Sequence, residues 1–146
     1  MAKTQFKAVV TAKNGLTMDC QSRNFQFNLD EPPMLGGNDA GMNPSEALLN
    51  ALGACKAIVA RSFAQMKGVS FTNLRVELEG TLDPDGFMGM NPSAKIGLSE
   101  IHTKYYFESS EPMEKLEEFV KFMEKTCPVM DTIVNAPVFV DEVVKM

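Results

Sequence analysis

The stretch "GMNPSEALLNALGACKAIVA", residues 41–60, decides the fold. Asn43 suits an N-cap, Pro44 suits the first helical position, and Glu46 stands where its carboxylate can reach back to the cap's N–H. Lys67 and Gly68 mark the far end, a cation in the last turn and a glycine just beyond it. The predicted helix therefore runs about 24 residues, or roughly 36 Å at about 1.5 Å per residue. From Ala47 to Ala60 it is apolar nearly all the way round. A helix of that kind cannot lie on a surface and must be covered on more than one side.

The flanking sequence supplies the cover. Before the helix, "QFKAVVTA" (5–12), "LTMDCQ" (16–21) and "NFQFNL" (24–29) read as three short strands, with Asn14-Gly15 as a turn between the first two. Residues 30–42, "DEPPMLGGNDAGM", are loop chemistry. After the helix, "FTNLRVELEGTLD" (71–83) and "IGLSEIHTKYYFES" (96–109) alternate as long strands across a turn-rich connection at 84–94. "EPMEKLEEFVKFMEK" (111–125) is an amphipathic helix whose stripe is Leu116, Phe119, Val120 and Met123, with Cys127 on the same face. Pro128 restarts the chain as a short helix with Cys127 at or near its N-cap, and "PVFVDEVVKM" (137–146) is expected to close as a strand. This order predicts one α+β domain over 1–146, a mostly antiparallel sheet wrapped on a long buried helix.

Composition narrows the function. The 146 residues carry 19 acids against 14 bases, a net charge of −5, which argues against a nucleic-acid surface. No stretch approaches a membrane span, and "MAKTQFKAVV" has no secretion-signal core. Three cysteines do not make a disulfide framework, so a cytoplasmic setting is expected. There is no closely spaced His/Cys set for zinc and no phosphate loop.

The cysteines carry the candidate chemistry. Cys55, in the middle of the apolar helix, is either a small core residue or a reactive thiol. It lies too far from the helix start for the dipole to activate it, so reactivity would require a cation brought in by the fold. Cys127, at the head of a short helix, sees unpaired N–H groups that favour a thiolate, or is simply the cap. Glu46 alone reads as a capping residue. Cys20, on an alternating strand, reads as packing. His102, the only histidine, lies far along the chain from both candidate thiols and gives little support for Cys/His catalysis.

Taken together, "NPSEALLNALGAC" (43–55) and "CPV" (127–129), with "DEPPMLGG" (30–37) and "LDPDGFMG" (82–89), resemble the OsmC-like family of osmotically inducible and organic hydroperoxide resistance proteins. The resemblance covers essentially the whole chain. It implies an intertwined homodimer in which the partner covers the helix. It implies a thiol-dependent peroxidase that reduces organic hydroperoxides without metal, flavin or haem, with Cys55 peroxidatic and Cys127 resolving, and with an external dithiol as reductant. Glu46 fits the family's orienting glutamate. The family's arginine is missing from the loop just before the helix, which leaves Lys13 and Arg23 as candidate cations; Arg61 shares the helix of Cys55 but at a large angular offset. The alternative is a dimeric apolar-ligand-binding or redox-sensing member without efficient turnover.

Overall fold

The computed structural model describes residues 1–146, which gather into two compact units, Met1–Leu49 and Asn50–Met146. In the first unit β1 (Val9–Ala12), β2 (Met18–Ser22) and β3 (Phe25–Leu29) form an antiparallel sheet in the order β1-β2-β3. Val10, Cys20 and Phe27 stand side by side across it. Gly15 takes φ +58°, and the Lys13 N–H closes that turn on the Thr17 carbonyl at 2.9 Å. The β1 ladder begins at Val9 rather than at residue 5.

The loop after β3 is organised from within by Asp30, which is buried. Its carboxylate accepts from the Thr17 hydroxyl at 2.7 Å and from the N–H groups of Glu31, Asn38 and Ala40 at 2.8, 3.3 and 3.2 Å. The loop folds so tightly that a Cβ on Gly37 would stand 1.8 Å from the Glu31 carbonyl oxygen. The Thr17 hydrogen bond, helped by the three N–H donors and opposed by burial, holds Asp30 below its ordinary value.

Helix α1 (Pro44–Phe63) starts as the sequence predicts: Asn43 Oδ1 accepts from the Glu46 N–H and Glu46 Oε2 from the Asn43 N–H, each at 2.8 Å. It stops at Phe63, short of Lys67, because residues 64–68 tighten into a turn that ends on Gly68 at φ +65°.

In the second unit β4 (Asn73–Thr81) and β5 (Glu100–Glu108) pair antiparallel over nine residues each, from Asn73 opposite Glu108 to Thr81 opposite Glu100. Leu74, Val76 and Leu78 point inward with Ile101, Thr103, Tyr105 and Phe107; Arg75, Glu77 and Glu79 face solvent. A single turn, α2 (Pro84–Phe87), capped by Asp83, sits in the connection. Helices α3 (Met113–Thr126) and α4 (Pro128–Val134) follow. The core joins Leu52, Val59 and Ala60 of α1 to Val69, Phe119, Met123 and Cys127. Gly53 lets α1 approach the sheet: a Cβ there would lie 2.6 Å from Leu78 Cδ1.

The α+β class with antiparallel sheets stands, with two refinements. Within one chain α1 is covered on one face only. Leu52, Gly53, Lys56, Val59 and Ala60 are buried, while Ala51 and Ala54 are exposed and Ile58 is 64% exposed. Residues 137–146 are not a strand here: they join no ladder, and Val138, Phe139, Val140, Val143 and Val144 are all exposed. Valine-rich composition favours a strand, but a strand exists only where a second backbone takes its hydrogen bonds. No helix is long and apolar enough to cross a membrane.

Asp30 carries a pH signature. Its folded value lies below the ordinary 3.8, so its contribution is fully present above that value and is lost as pH falls through the folded one. Acid unfolding of wild type should therefore steepen below about pH 4, and Asp30→Asn should flatten that limb when Tm is followed against pH.

Candidate active site

Helix α1 offers its fourth turn to the junction where α3 ends and α4 begins. Cys127 serves that junction twice. Its N–H caps α3 on the Met123 carbonyl at 3.0 Å, and its Sγ accepts from the Met130 N–H at 3.4 Å as the N-cap of α4. The sequence places it correctly because Pro128 fits the first helical position and cannot extend the preceding helix.

Cys55 meets Cys127 there. Cys55 packs against the core cluster that holds Cys127, close enough to act on its thiol, and all three cysteines are unlinked. Cys127 is fully buried, whereas Cys55 is half-buried. Burial, and then the hydrogen bond with Cys55, push the Cys127 thiol up; the Met130 and Val129 N–H groups pull the other way and lose. In the reduced protein Cys127 is thus held as a neutral thiol despite its helix-start position.

Cys55 faces a cavity of 530 Å³ whose other walls are Ala51, Ala54, Ile58, Val59, Ser62, Phe63, Thr126 and Pro128. Ser62 and Thr126 apart, these walls present hydrocarbon. A ligand reaching Cys55 would lie in an open apolar depression beside the sulfur.

A polar cluster crosses the same helix pair one residue further on. Lys56 is buried, and its ammonium bonds Glu124 Oε1 at 2.7 Å. The Tyr105 hydroxyl donates to the same carboxylate oxygen, and the ammonium lies 5.6 Å from the centre of the Tyr105 ring. Burial first, and then Glu124 as hydrogen-bond acceptor and as charge, push Tyr105 far up, with Cys127 adding a smaller push. Sequence reasoning did not find this cluster. Its one local signal is a lysine inside an apolar helical run; the partners lie 68 and 49 residues away.

The other candidates have local partners in the first unit. Glu46 closes the capping box with Asn43. Lys13 reaches Asp19 at 3.9 Å and Asn28 Oδ1 at 3.5 Å. Arg23 turns the chain between β2 and β3 at φ 54°, its guanidinium 4.8 Å from the Phe25 ring centre. In the second unit, Arg61 lies over the Phe71 ring at 5.2 Å and donates to the Thr72 carbonyl at 3.4 Å. His102 pairs with Glu100 on the solvent face of β5. Cys20 is buried in its sheet, as packing predicts. No group of three or more His, Cys, Asp or Glu side chains is gathered to hold a metal ion.

Fold and site define an α+β protein with two thiols held together between helices, one of them lining an apolar pocket. The chain belongs to the OsmC-like protein family, whose model matches residues 36–142. It is 29% identical over 118 residues to a hydroperoxide reductase of Mycoplasma genitalium, covering 80% of this chain and 78% of that one. A Mycoplasma pneumoniae protein of the same name is 29% identical over 120 residues, with the same shares covered. The solved structure of an OsmC-like protein from Mycoplasma pneumoniae superposes with a TM-score of 0.79 at 25% identity, over 92% of this chain and 91% of that one.

The upward shift of Cys127 gives a direct expectation. At pH 7 iodoacetamide should label Cys127 in the native protein more slowly than a free thiol, and its rate–pH midpoint should fall in Cys55→Ser, where that hydrogen bond is weakened. Mass mapping of the labelled peptides checks both.

Proposed function

We propose that the protein is a cysteine-based peroxidase that reduces organic hydroperoxides to alcohols. The observation that carries this reading is the contact of Cys55 with Cys127 where Cys55 lines an apolar pocket. The names of the two curated relatives support the same substrate class.

The chemistry follows from the thiols. The Cys55 thiolate attacks the distal oxygen of ROOH; the O–O bond breaks, RO⁻ leaves and takes a proton to become ROH, and Cys55–SOH remains. Cys127 then displaces the sulfenate oxygen as water and forms a disulfide, which protects Cys55 from further oxidation. An external dithiol restores both thiols by exchange, and the scheme needs no resident cofactor. The pocket favours an alkyl chain over hydrogen peroxide, because each buried methylene stabilises binding by about 0.8 kcal/mol. A cytoplasmic, reducing setting would keep the dithiol charged.

A Cys55 thiolate needs positive charge near it, since an ordinary thiol is only a few per cent ionised at neutral pH. Arg23 and Lys13 are the proposed sources, oriented by Glu46 as the family resemblance implies. Arg23 is favoured for its planar, always-charged fork. Lys56, although next to Cys55 in sequence, is committed to Glu124.

The proposed working form is a homodimer. The exposed face of α1, with Ile58, Ala51 and Ala54, is also the wall of the Cys55 pocket, so a second copy seated there would cover the helix and roof the site together. The unpaired apolar tail, residues 137–146, offers a strand to such a partner.

Cys55→Ser should abolish cumene hydroperoxide consumption with a dithiol reductant. Cys127→Ser should complete one turnover and then stall. Peptide mapping after mild oxidation should link Cys55 to Cys127 and leave Cys20 free; a dominant Cys20 linkage overturns the assignment. A wild type that consumes no peroxide but keeps an apolar molecule through purification would identify a binding protein instead.

For the dimer, sedimentation at micromolar concentration should give twice the chain mass, with a Tm that rises with protein concentration. Ile58→Asp, a charge on the shared face, should yield monomer; a stable wild-type monomer counts against the proposal.

A further inference from the structure

We infer that Lys56 and Glu124, anchored by Tyr105, form a clamp that sets Cys127 against Cys55 and so governs closure of the disulfide. The inference deepens the redox reading and rests on it.

Cys55 and Lys56 are neighbours on α1; Glu124 and Cys127 are three apart at the end of α3, and therefore adjacent along one side of it. Two contacts thus cross the same pair of helices: the thiol pair and, beside it, the Lys56–Glu124 ion pair at 2.7 Å. The Lys56 side chain is only 3% exposed, so its ammonium has little water to fall back on and is tied to its partner. Tyr105 bonds the same carboxylate oxygen from β5, which ties the end of α3 to the sheet as well as to α1.

Location separates the clamp from the substrate. Lys56, Tyr105 and Glu124 line a different cavity, of 640 Å³, which shares no wall residue with the Cys55 pocket. A hydroperoxide in the Cys55 pocket touches none of them. They are positioning residues, and the step they can influence is the second: Cys127–SH plus Cys55–SOH gives the S–S bond and water, the S–O bond breaking and the Cys127 proton leaving with the hydroxide. That step demands a Cα separation of about 4.4–6.8 Å and a defined angle at sulfur. A misplacement on the order of 1 Å can cost about a hundredfold in such a reaction. The ion pair fixes the offset of the two helices beside the reacting atoms.

The test resolves the two steps. Reduced protein receives one equivalent of cumene hydroperoxide; dimedone trapping reports the Cys55 sulfenate and mass mapping reports the disulfide. In Lys56→Met, and in Lys56→Met/Glu124→Leu, which replaces the ion pair by apolar side chains of similar volume, sulfenate should form within about twofold of wild type while closure slows at least about tenfold. Lys56→Arg should restore closure. Unchanged closure in both variants, or a parallel slowing of both steps, overturns the clamp, because a merely structural role would move the steps together. Diamide, which oxidises dithiols without a peroxide, keeps the two readings distinguishable. Wild type that closes with diamide but ignores hydroperoxide sinks the peroxidase and leaves the clamp to be judged on diamide closure. Variants that close with diamide as fast as wild type sink the clamp whatever the peroxide result.

Discussion

The packing of α1 against the end of α3 is the contact on which the second unit depends. Leu52, Val59 and Ala60 meet Phe119, Met123 and Cys127 in one dry cluster, and Leu52 and Met123 are almost wholly removed from water. Truncating side chains of that size in such a place costs about 2–5 kcal/mol each. The same contact brings the thiols together, so the site is not laid over a finished core; one of its cysteines is part of that core. The chemical consequence is visible at Cys127, where burial outweighs the helix-start N–H groups and keeps the thiol neutral.

Two polar hubs, one centred on the buried Asp30 and one on the buried Lys56, do the ordering that hydrocarbon cannot. Asp30 gathers three donors from its own loop and a fourth from Thr17 before β2, and converts a proline- and glycine-rich segment into a defined shape. Lys56, Glu124 and Tyr105 do the same across elements, one contributor each from α1, α3 and β5. Hydrocarbon contacts tolerate sliding, whereas a shared carboxylate oxygen does not. That difference explains why a fold would place a charged pair within a junction that packing alone could hold.

Two parts of the apolar surface left open by a single chain bear on the site. Ile58 and its neighbours on α1 coincide with the Cys55 pocket, and the tail adds a run of exposed valines around Phe139. An exposed apolar patch that lines a pocket, as on α1, marks an interface or a ligand site. On α1 the two roles fall on the same residues, so whatever covers the helix also shapes the pocket.

What the sequence determined by itself was local. The capping box of Asn43 and Glu46, the turn at Gly15, the alternation of β4 and β5, and Cys127 as the cap before Pro128 all depend on residues within a few positions of one another, and each was legible. The meeting of Cys55 with Cys127 was expected only through the family resemblance, because nothing in a linear chain measures the distance between residues 72 positions apart. The clamp was not legible at all: Lys56 looked like an exception in an apolar run until the fold supplied Glu124 and Tyr105. The final segment is valine-rich as a strand should be, yet stays unpaired, because composition describes side chains whereas pairing requires another backbone. Tertiary structure alone decided which polar groups share a carboxylate, which thiol is dry, and which face of the long helix is left uncovered.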